Sequence, residues 1–293
     1  MKGTWEDVFT NRDAIHAAIS EDEGKTWTGF RELYLNPLRN EPDFAVRRGT
    51  GESLDRSVHQ SQAVELPDGK VLVALGQHPL VRSFVIFDPE WLYETKRRDD
   101  FSKGLRDWCT FKFLRGIRGH CAYNREAGAR LINHPNKPGA KALHIRRPEN
   151  AEVICENDGA VWNFPAGRKG KFVIRIMLNP GGQGGRICLV DRWLNPTDLL
   201  AGHYAMYSFS FDGDGKSDGK KLIEVSRRHE LRFEWSDLQA GDCRLYIDGR
   251  RAKLLPLNRP SVNGISYAHL QSAATETDSA GFLVESVEAE VGR

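Results

Sequence analysis

The chain has no closely spaced cysteine pair, no long apolar run and almost no net charge, and each of these absences excludes a class of function. Its five cysteines (Cys109, Cys121, Cys155, Cys188, Cys243) include no CxxC and no ligand-like grouping, so no metal site or thioredoxin-like motif is expected. The odd number leaves at least one unpaired within a monomer. The simplest reading is reduced, mostly buried thiols, as in a cytosolic protein, with a Cys109–Cys121 bridge admissible if the protein is exported. No run approaches membrane-spanning length, and the polar start Met1-Lys-Gly-Thr-Trp-Glu-Asp-Val8 does not read as a signal peptide. The expectation is a cytoplasmic protein if Met1 is the true start, or an exported one if the chain is the C-terminal part of something longer. A formal net charge of +2 carries no electrostatic footprint for nucleic acid. No cofactor is expected either, because Pro180-Gly-Gly-Gln-Gly-Gly185 lacks the Gly-Lys-Ser/Thr ending of a phosphate loop.

What the chain does contain is short alternating runs punctuated by turn residues. Ser20-Glu-Asp22-Glu-Gly24-Lys-Thr26-Trp27 follows the alternating Ala14–Ile19 and precedes Phe30-Arg-Glu-Leu-Tyr-Leu-Asn36. Asp22 is suited to accept from backbone N–H groups two and three residues on, Gly24 to take a positive φ, and Trp27 to plug the next strand. The stretch therefore reads as a tight turn between two strands. After a polar, Gly-rich loop over residues 39–56, Ser57–Leu66, the turn Pro67-Asp-Gly-Lys70 and Val71–Gln77 form a hairpin, with a third strand from Val81 to Phe87. A charge run, Glu94-Thr-Lys-Arg-Arg-Asp-Asp100, marks a polar connector or short helix. From Trp108 onward longer strands recur with no helical stretch of twelve or more residues. The clearest is Lys171–Leu178, and Asp248-Gly249 turns a further hairpin. The acid spacing of Asp212, Asp214 and Asp218 suggests a calcium loop, but Ile223 stands where an EF-hand needs an acid, so a solvated hairpin tip is favoured.

Ser20, Asp22, Gly24, Thr26 and Trp27 match the Asp-box of sialidases and similar β-propeller glycosidases. In that family the box lies on the outer rim of a blade and takes no part in catalysis. The order of signals after residue 108 resembles concanavalin-like or laminin-G-like jelly rolls, carried by Phe172–Leu178, Leu245-Tyr-Ile-Asp-Gly249 and Phe282–Val287. Together these resemblances imply an all-β chain: a partial β-propeller of about two blades over residues 1–100, a connector over 101–107, and a jelly-roll β-sandwich over 108–293. Two blades cannot close a ring, so a missing N-terminal region or a second chain is expected to complete it.

The resemblance implies a glycoside hydrolase acting on a terminal glycosidic bond, with carbohydrate as partner. The alternative is a non-catalytic carbohydrate-binding or structural module. Glycoside hydrolysis needs facing carboxyl groups, or a tyrosine nucleophile in sialidases, and among the acids of the first hundred residues the catalytic candidates are Asp13, Glu32 and Asp55. Substrate-binding candidates are Arg12 as a carboxylate clamp, His16 on the first strand, the polar His59 and Gln60, and Gln77, His78 and Arg82 at the mouth of the second meander. Neither a sialidase-type tyrosine–glutamate pair nor a full arginine triad can be matched in the sequence. Trp162, Trp193 and Trp235 are either core residues or platforms on which a sugar stacks.

Overall fold

The computed structural model describes residues 14–35, 58, 61–76, 82–113, 123–124, 128–151, 153, 155–198 and 200–292. The expectations placed on Arg12, Asp13, Asp55, His59, Gln60, Gln77, His78 and Cys121 lie outside the described residues.

β1 (Ala14–Ile19) and β2 (Thr28–Leu35) pair antiparallel across the Ser20–Trp27 turn. β3 (Gln62–Glu65), β4 (Val71–Leu75) and β5 (Ser83–Phe87) form a three-stranded meander. Its first turn is the expected one, with Gly69 at φ +81° and Asp68 accepting from the Lys70 backbone N–H at 3.2 Å. A 3-10 turn, Pro89–Tyr93, then leads into β6 (Lys96–Asp99).

The remaining strands are β7 (Trp108–Cys109), β8 (Lys112–Phe113), β9 (Tyr123–Asn124), β10 (Arg130–Asn133), β11 (Lys141–Arg147), β12 (Gly159–Gly167), β13 (Lys169–Leu178) and β14 (Gly184–Val190). After the single-turn helix α1 (Ala201–Tyr204) come β15 (Tyr207–Asp212), β16 (Lys216–Ser217), β17 (Lys220–Lys221), β18 (Arg228–Trp235), β19 (Cys243–Ile247), β20 (Arg250–Leu255), β21 (Ile265–Ser272) and β22 (Asp278–Gly292). One antiparallel sheet runs β10-β11-β22-β13-β18-β19-β20, with β6 pairing the second half of β22 beyond the reach of β11. The other runs β15-β14-β21-β12-β7.

Period-two alternation places Phe172, Ile174, Ile176 and Leu178 of β13 on one face, where they meet Trp162 and Phe164 of β12 in a single core. Its aromatic rings are packed together: Phe164 stacks on Phe172 at 5.8 Å and Trp108 on Trp162 at 6.0 Å. Burying each such side chain contributes roughly 1.5–3 kcal/mol, which makes this core the main source of stability. Cys188 and Cys243 are buried as free thiols, and burial pushes the Cys243 thiol up to about 12.

Some expected boundaries are corrected. Lys96–Asp99, read as connector or helix, is a strand of the larger sheet, where Arg97 lies over the Trp162 ring at 5.5 Å. β21 was not anticipated, yet it is the middle strand of the smaller sheet and buried at every residue. The reason is coverage on both faces. Ala268 and Leu270 join the main core, while the β1–β2 hairpin docks over Tyr267 on the other side.

The hairpin also packs against the meander, where Ile15, Leu33 and Tyr34 meet Val58, Val73 and Leu75. The all-β expectation therefore holds. Among the described residues the N-terminal strands form a hairpin docked on the sandwich and a meander packed against that hairpin, with no closed ring of blades.

Candidate functional site

The turn from Ser20 to Trp27 is built by one carboxylate. Asp22 Oδ1 accepts from the Thr26 backbone N–H at 2.8 Å, and Oδ2 accepts from the Thr26 hydroxyl at 2.7 Å. Ser20 Oγ donates to Asp22 Oδ1 at 3.0 Å and accepts from the Gly24 N–H at 2.7 Å. The hydroxyl of Thr26, more than any other contact, holds the Asp22 carboxyl below the usual carboxylate range. Gly24 takes φ +83°, as expected. The main backbone donor is Thr26, four residues on, with Lys25, three residues on, contributing less, and one expectation is corrected: Trp27 is 64% exposed rather than a plug. Trp27 is free to face outward because its indole N–H is satisfied locally by Gly24 O at 3.1 Å.

Trp27 forms part of the wall of a cavity of about 410 Å³ between the hairpin and the sandwich. Phe30 lines it from the hairpin, and Trp193 and the exposed Val262 from the sandwich. The backbone comes very close where glycine permits it: a Cβ on Gly29, whose φ is +68°, would lie 2.4 Å from Leu92 O, and one on Gly264 would lie 2.4 Å from Gly167 N. The polar lining comes from Glu94, Arg168, Asp191, Arg192 and Asn263.

Asp191 organises that polar end. It follows β14, is buried, accepts from Arg192 Nε at 2.9 Å and is also bonded by Arg259 and Ser261. Burial works to raise its carboxyl, but the hydrogen bonds from Arg192, Arg259 and Ser261 prevail and hold it at about 2. Glu94 is bonded at 2.9 Å by the buried Arg31, whose guanidinium lies 4.0 Å over the Trp91 ring. The result is an apolar, aromatic-walled cleft with a few held charges, within the volume range usual for small-ligand sites.

Two of the residues named from the sequence are brought together elsewhere. Hairpin register sets His16 opposite Glu32, and the fold adds Tyr267 from β21. Tyr267 Oη donates to Glu32 Oε1 at 3.1 Å, His16 Nε2 lies 2.5 Å from the same hydroxyl, and Phe30 stacks on the His16 ring at 4.7 Å. The Glu32 backbone N–H donates to Asn163 Oδ1 at 3.0 Å. Tyr267 and Glu32, 235 residues apart, are thus brought into contact by tertiary structure alone. The contact is enclosed, with Tyr267 fully buried and Glu32 8% exposed.

Arg82 is exposed beside β5 and is not part of the cleft. Trp162 and Trp235 are core residues, and Trp193 is the one of the three tryptophans that reaches the cleft. The Asp212 loop is closed by its own donors: Asp212 Oδ1 accepts from the Asp214 and Lys216 backbone N–H groups at 3.0 and 2.8 Å, and Lys216 pairs with Asp214 at 2.7 Å. Among the described residues no group of three or more His, Cys, Asp and Glu side chains is placed to hold a metal ion, and no helix is long and apolar enough to cross a membrane. Sequence reasoning missed Arg168, Asp191, Arg192 and Asn263. The usable signal was Asp191-Arg-Trp193, a charged and aromatic triplet at a strand end.

No family model matches the chain, and no curated protein does. Among solved structures it is similar to a sialidase, with 13% identity and a TM-score of 0.40 over 80% of this chain and 22% of that one. It is also similar to the Trypanosoma rangeli sialidase in complex with 2,3-difluorosialic acid, at 12% identity and TM-score 0.35 over 95% and 46%. The Caenorhabditis elegans galectin LEC-6 matches at 14% identity and TM-score 0.30 over 44% and 89%. The chain thus spans less than half the length of either sialidase. Likeness at this level assigns no activity.

Proposed function

We propose that the chain is a carbohydrate-binding module without catalysis of its own, and that the cleft between the hairpin and the sandwich is where the sugar sits. The observation that carries this reading is the pairing of Trp27 and Trp193 with Arg168, Arg192 and Asn263 in one cavity. Apolar C–H faces of a pyranose stack on indoles, while its hydroxyls need a few fixed donors and acceptors, and the cleft offers both. Asp191 serves the site by holding Arg192 in place.

The hydrolase reading is weaker on physical grounds. Glu32 is spent on Tyr267 in a buried junction, where no glycosidic bond can reach it. The division into a propeller-derived segment over 1–100, a connector and a sandwich over 108–293 remains part of the proposal. It is supported by the stacking of the meander on the hairpin, and by the apolar outer face of the meander. There Val64, Phe84 and Ile86 are 55%, 71% and 57% exposed, as suits a face covered by a further blade.

Glycan-array screening followed by calorimetry tests the reading. Trp27→Ala and Trp193→Ala should each weaken the best glycan about two- to tenfold, since stacking of this kind contributes roughly 0.5–1.5 kcal/mol beyond area burial. A wild-type protein that binds no glycan, or one that hydrolyses aryl glycosides with a rate removed by Glu32→Gln, would overturn it.

A further inference from the structure

On the outer face of the larger sheet, away from the cleft, the β13–β22 register jumps from Arg175↔Ser286 to Ile176↔Val284, leaving Glu285 as an extra, bulged residue. Bulges re-aim side chains, and this one leaves a carboxylate whose side chain is only 5% exposed. His134 Nε2 lies 3.1 Å from Glu285 Oε1, Arg228 Nε lies 2.8 Å from Oε2, and Lys137 is bonded to Oε2 as well. His134 Nδ1 accepts from the Asn136 N–H at 3.0 Å, which fixes the ring beside the carboxylate. Burial opposes charge on Glu285, yet the bonds from Lys137 and His134 and the charge of Arg228 hold its carboxyl below the usual range.

Glu285 sits in a cavity of about 580 Å³ whose lining carries Arg98, Lys137, Lys141, Arg175 and Arg228 against only two carboxylates, Asp100 and Glu285. On the same face Lys171 pairs with Glu290 at 2.8 Å and Arg232 with Glu234 at 3.0 Å, and within the cavity Arg175 is answered by Glu230 at 2.6 Å and Arg98 by Asp100 at 3.9 Å, so the excess rests on Lys137, Lys141 and Arg228 against Glu285. The excess is local. Arg228 approaches Glu285 through Nε at 2.8 Å, and its side chain is 50% exposed, so the guanidinium also faces the open cavity.

We propose that this cavity binds an oxyanion, a carboxylate or a sulfate group, at the fork of Arg228 and the ammonium of Lys137, with Glu285 holding both in place. A planar guanidinium fork matches such a group bidentately, and an excess of cations beside a buried carboxylate is what an arriving anion would balance. The site shares no residue with the aromatic cleft and stands whether or not that cleft binds sugar.

The test is calorimetry at low ionic strength with inorganic sulfate, glucuronate and, as a neutral control, glucose. Sulfate and glucuronate should bind saturably and weaken steeply with added salt. Arg228→Gln combined with Lys137→Gln should lose at least tenfold in affinity. Arg228→Lys, which keeps the charge and the pairing with Glu285, should lose several-fold with an unchanged melting temperature. Trp193→Ala should leave anion binding intact. Absence of saturable anion binding, anion binding indifferent to the Arg228 and Lys137 changes, or its loss in Trp193→Ala would overturn the proposal. If only one of the two anions binds, the group recognised is thereby identified.

Discussion

Asp191→Asn is the most informative single perturbation. The carboxylate is buried at the end of β14 and ties Arg192, Arg259 and Ser261, which belong to two different loops, into the polar end of the cleft. Its carboxyl stands at about 2 against an ordinary 3.8. At roughly 1.4 kcal/mol per pKa unit, this corresponds to about 2 kcal/mol of stability at neutral pH. The sign follows from the depressed folded value. The contribution is fully present above about pH 4 and disappears as the pH falls toward 2, where the folded state also protonates. Urea denaturation at pH 7 should therefore show the variant less stable by about 2 kcal/mol, a midpoint lower by roughly 1 M. The gap between wild type and variant should close between pH 4 and pH 2. Because Arg192 loses its anchor, glycan affinity should fall in the same variant. Equal stability at pH 7, or a gap that persists unchanged at pH 2, would refute the reasoning.

Two further predictions concern the smaller sheet. His269 is fully buried, and burial takes its imidazole down to about 4, although Asn195 O, 2.7 Å from Nε2, favours the charged form. The unfolded chain binds that proton first, so stability should decline by as much as about 3 kcal/mol as the pH falls from 6.5 to 4, which pH-dependent unfolding with His269→Gln as the flat reference will show. Tyr267→Phe removes the hydroxyl shared by Glu32 and His16 and should cost about 1–3 kcal/mol. Hydrogen exchange should then quicken in the β1–β2 hairpin before the sandwich; uniform quickening would contradict its role as the clasp between them.

Local signals in the chain carried much of the fold. Asp68-Gly69 and Asp248-Gly249 turn hairpins where expected, with Gly69 and Gly249 at φ +81° and +79°, and the alternation of Phe172–Leu178 marks a central strand buried on one face. β21 escaped because Tyr267, His269 and Gln271 occupy one of its faces, and polar residues in alternation look exposed until something covers them. β6 escaped because Lys96-Arg-Arg-Asp99 reads as a solvated charge run. In the fold its alternate residues tuck in, with Arg97 donating to Asn163 O at 2.7 Å and Asp99 accepting from Trp108 Nε1 at 3.0 Å. Of the site, the tryptophans were visible as possibilities, while Arg168, Asp191 and Asn263 acquire meaning only through their proximity to Trp27.

By itself, then, the sequence determined the all-β class, the positions of most turns and the Asp22-centred loop. These follow from interactions among residues a few positions apart: side-chain alternation, glycine at positive φ and a carboxylate capping nearby N–H groups. Only the tertiary structure decided which faces are covered, and with them the function-bearing features. The hairpin's docking buries Glu32 and exposes Trp27, and it places Trp193 and Asp191 in the wall of the same cleft. A bulge in the longest strand turns Glu285 toward Lys137, nearly 150 residues away. Such contacts depend on burial and on partners distant along the chain, and no local pattern encodes either.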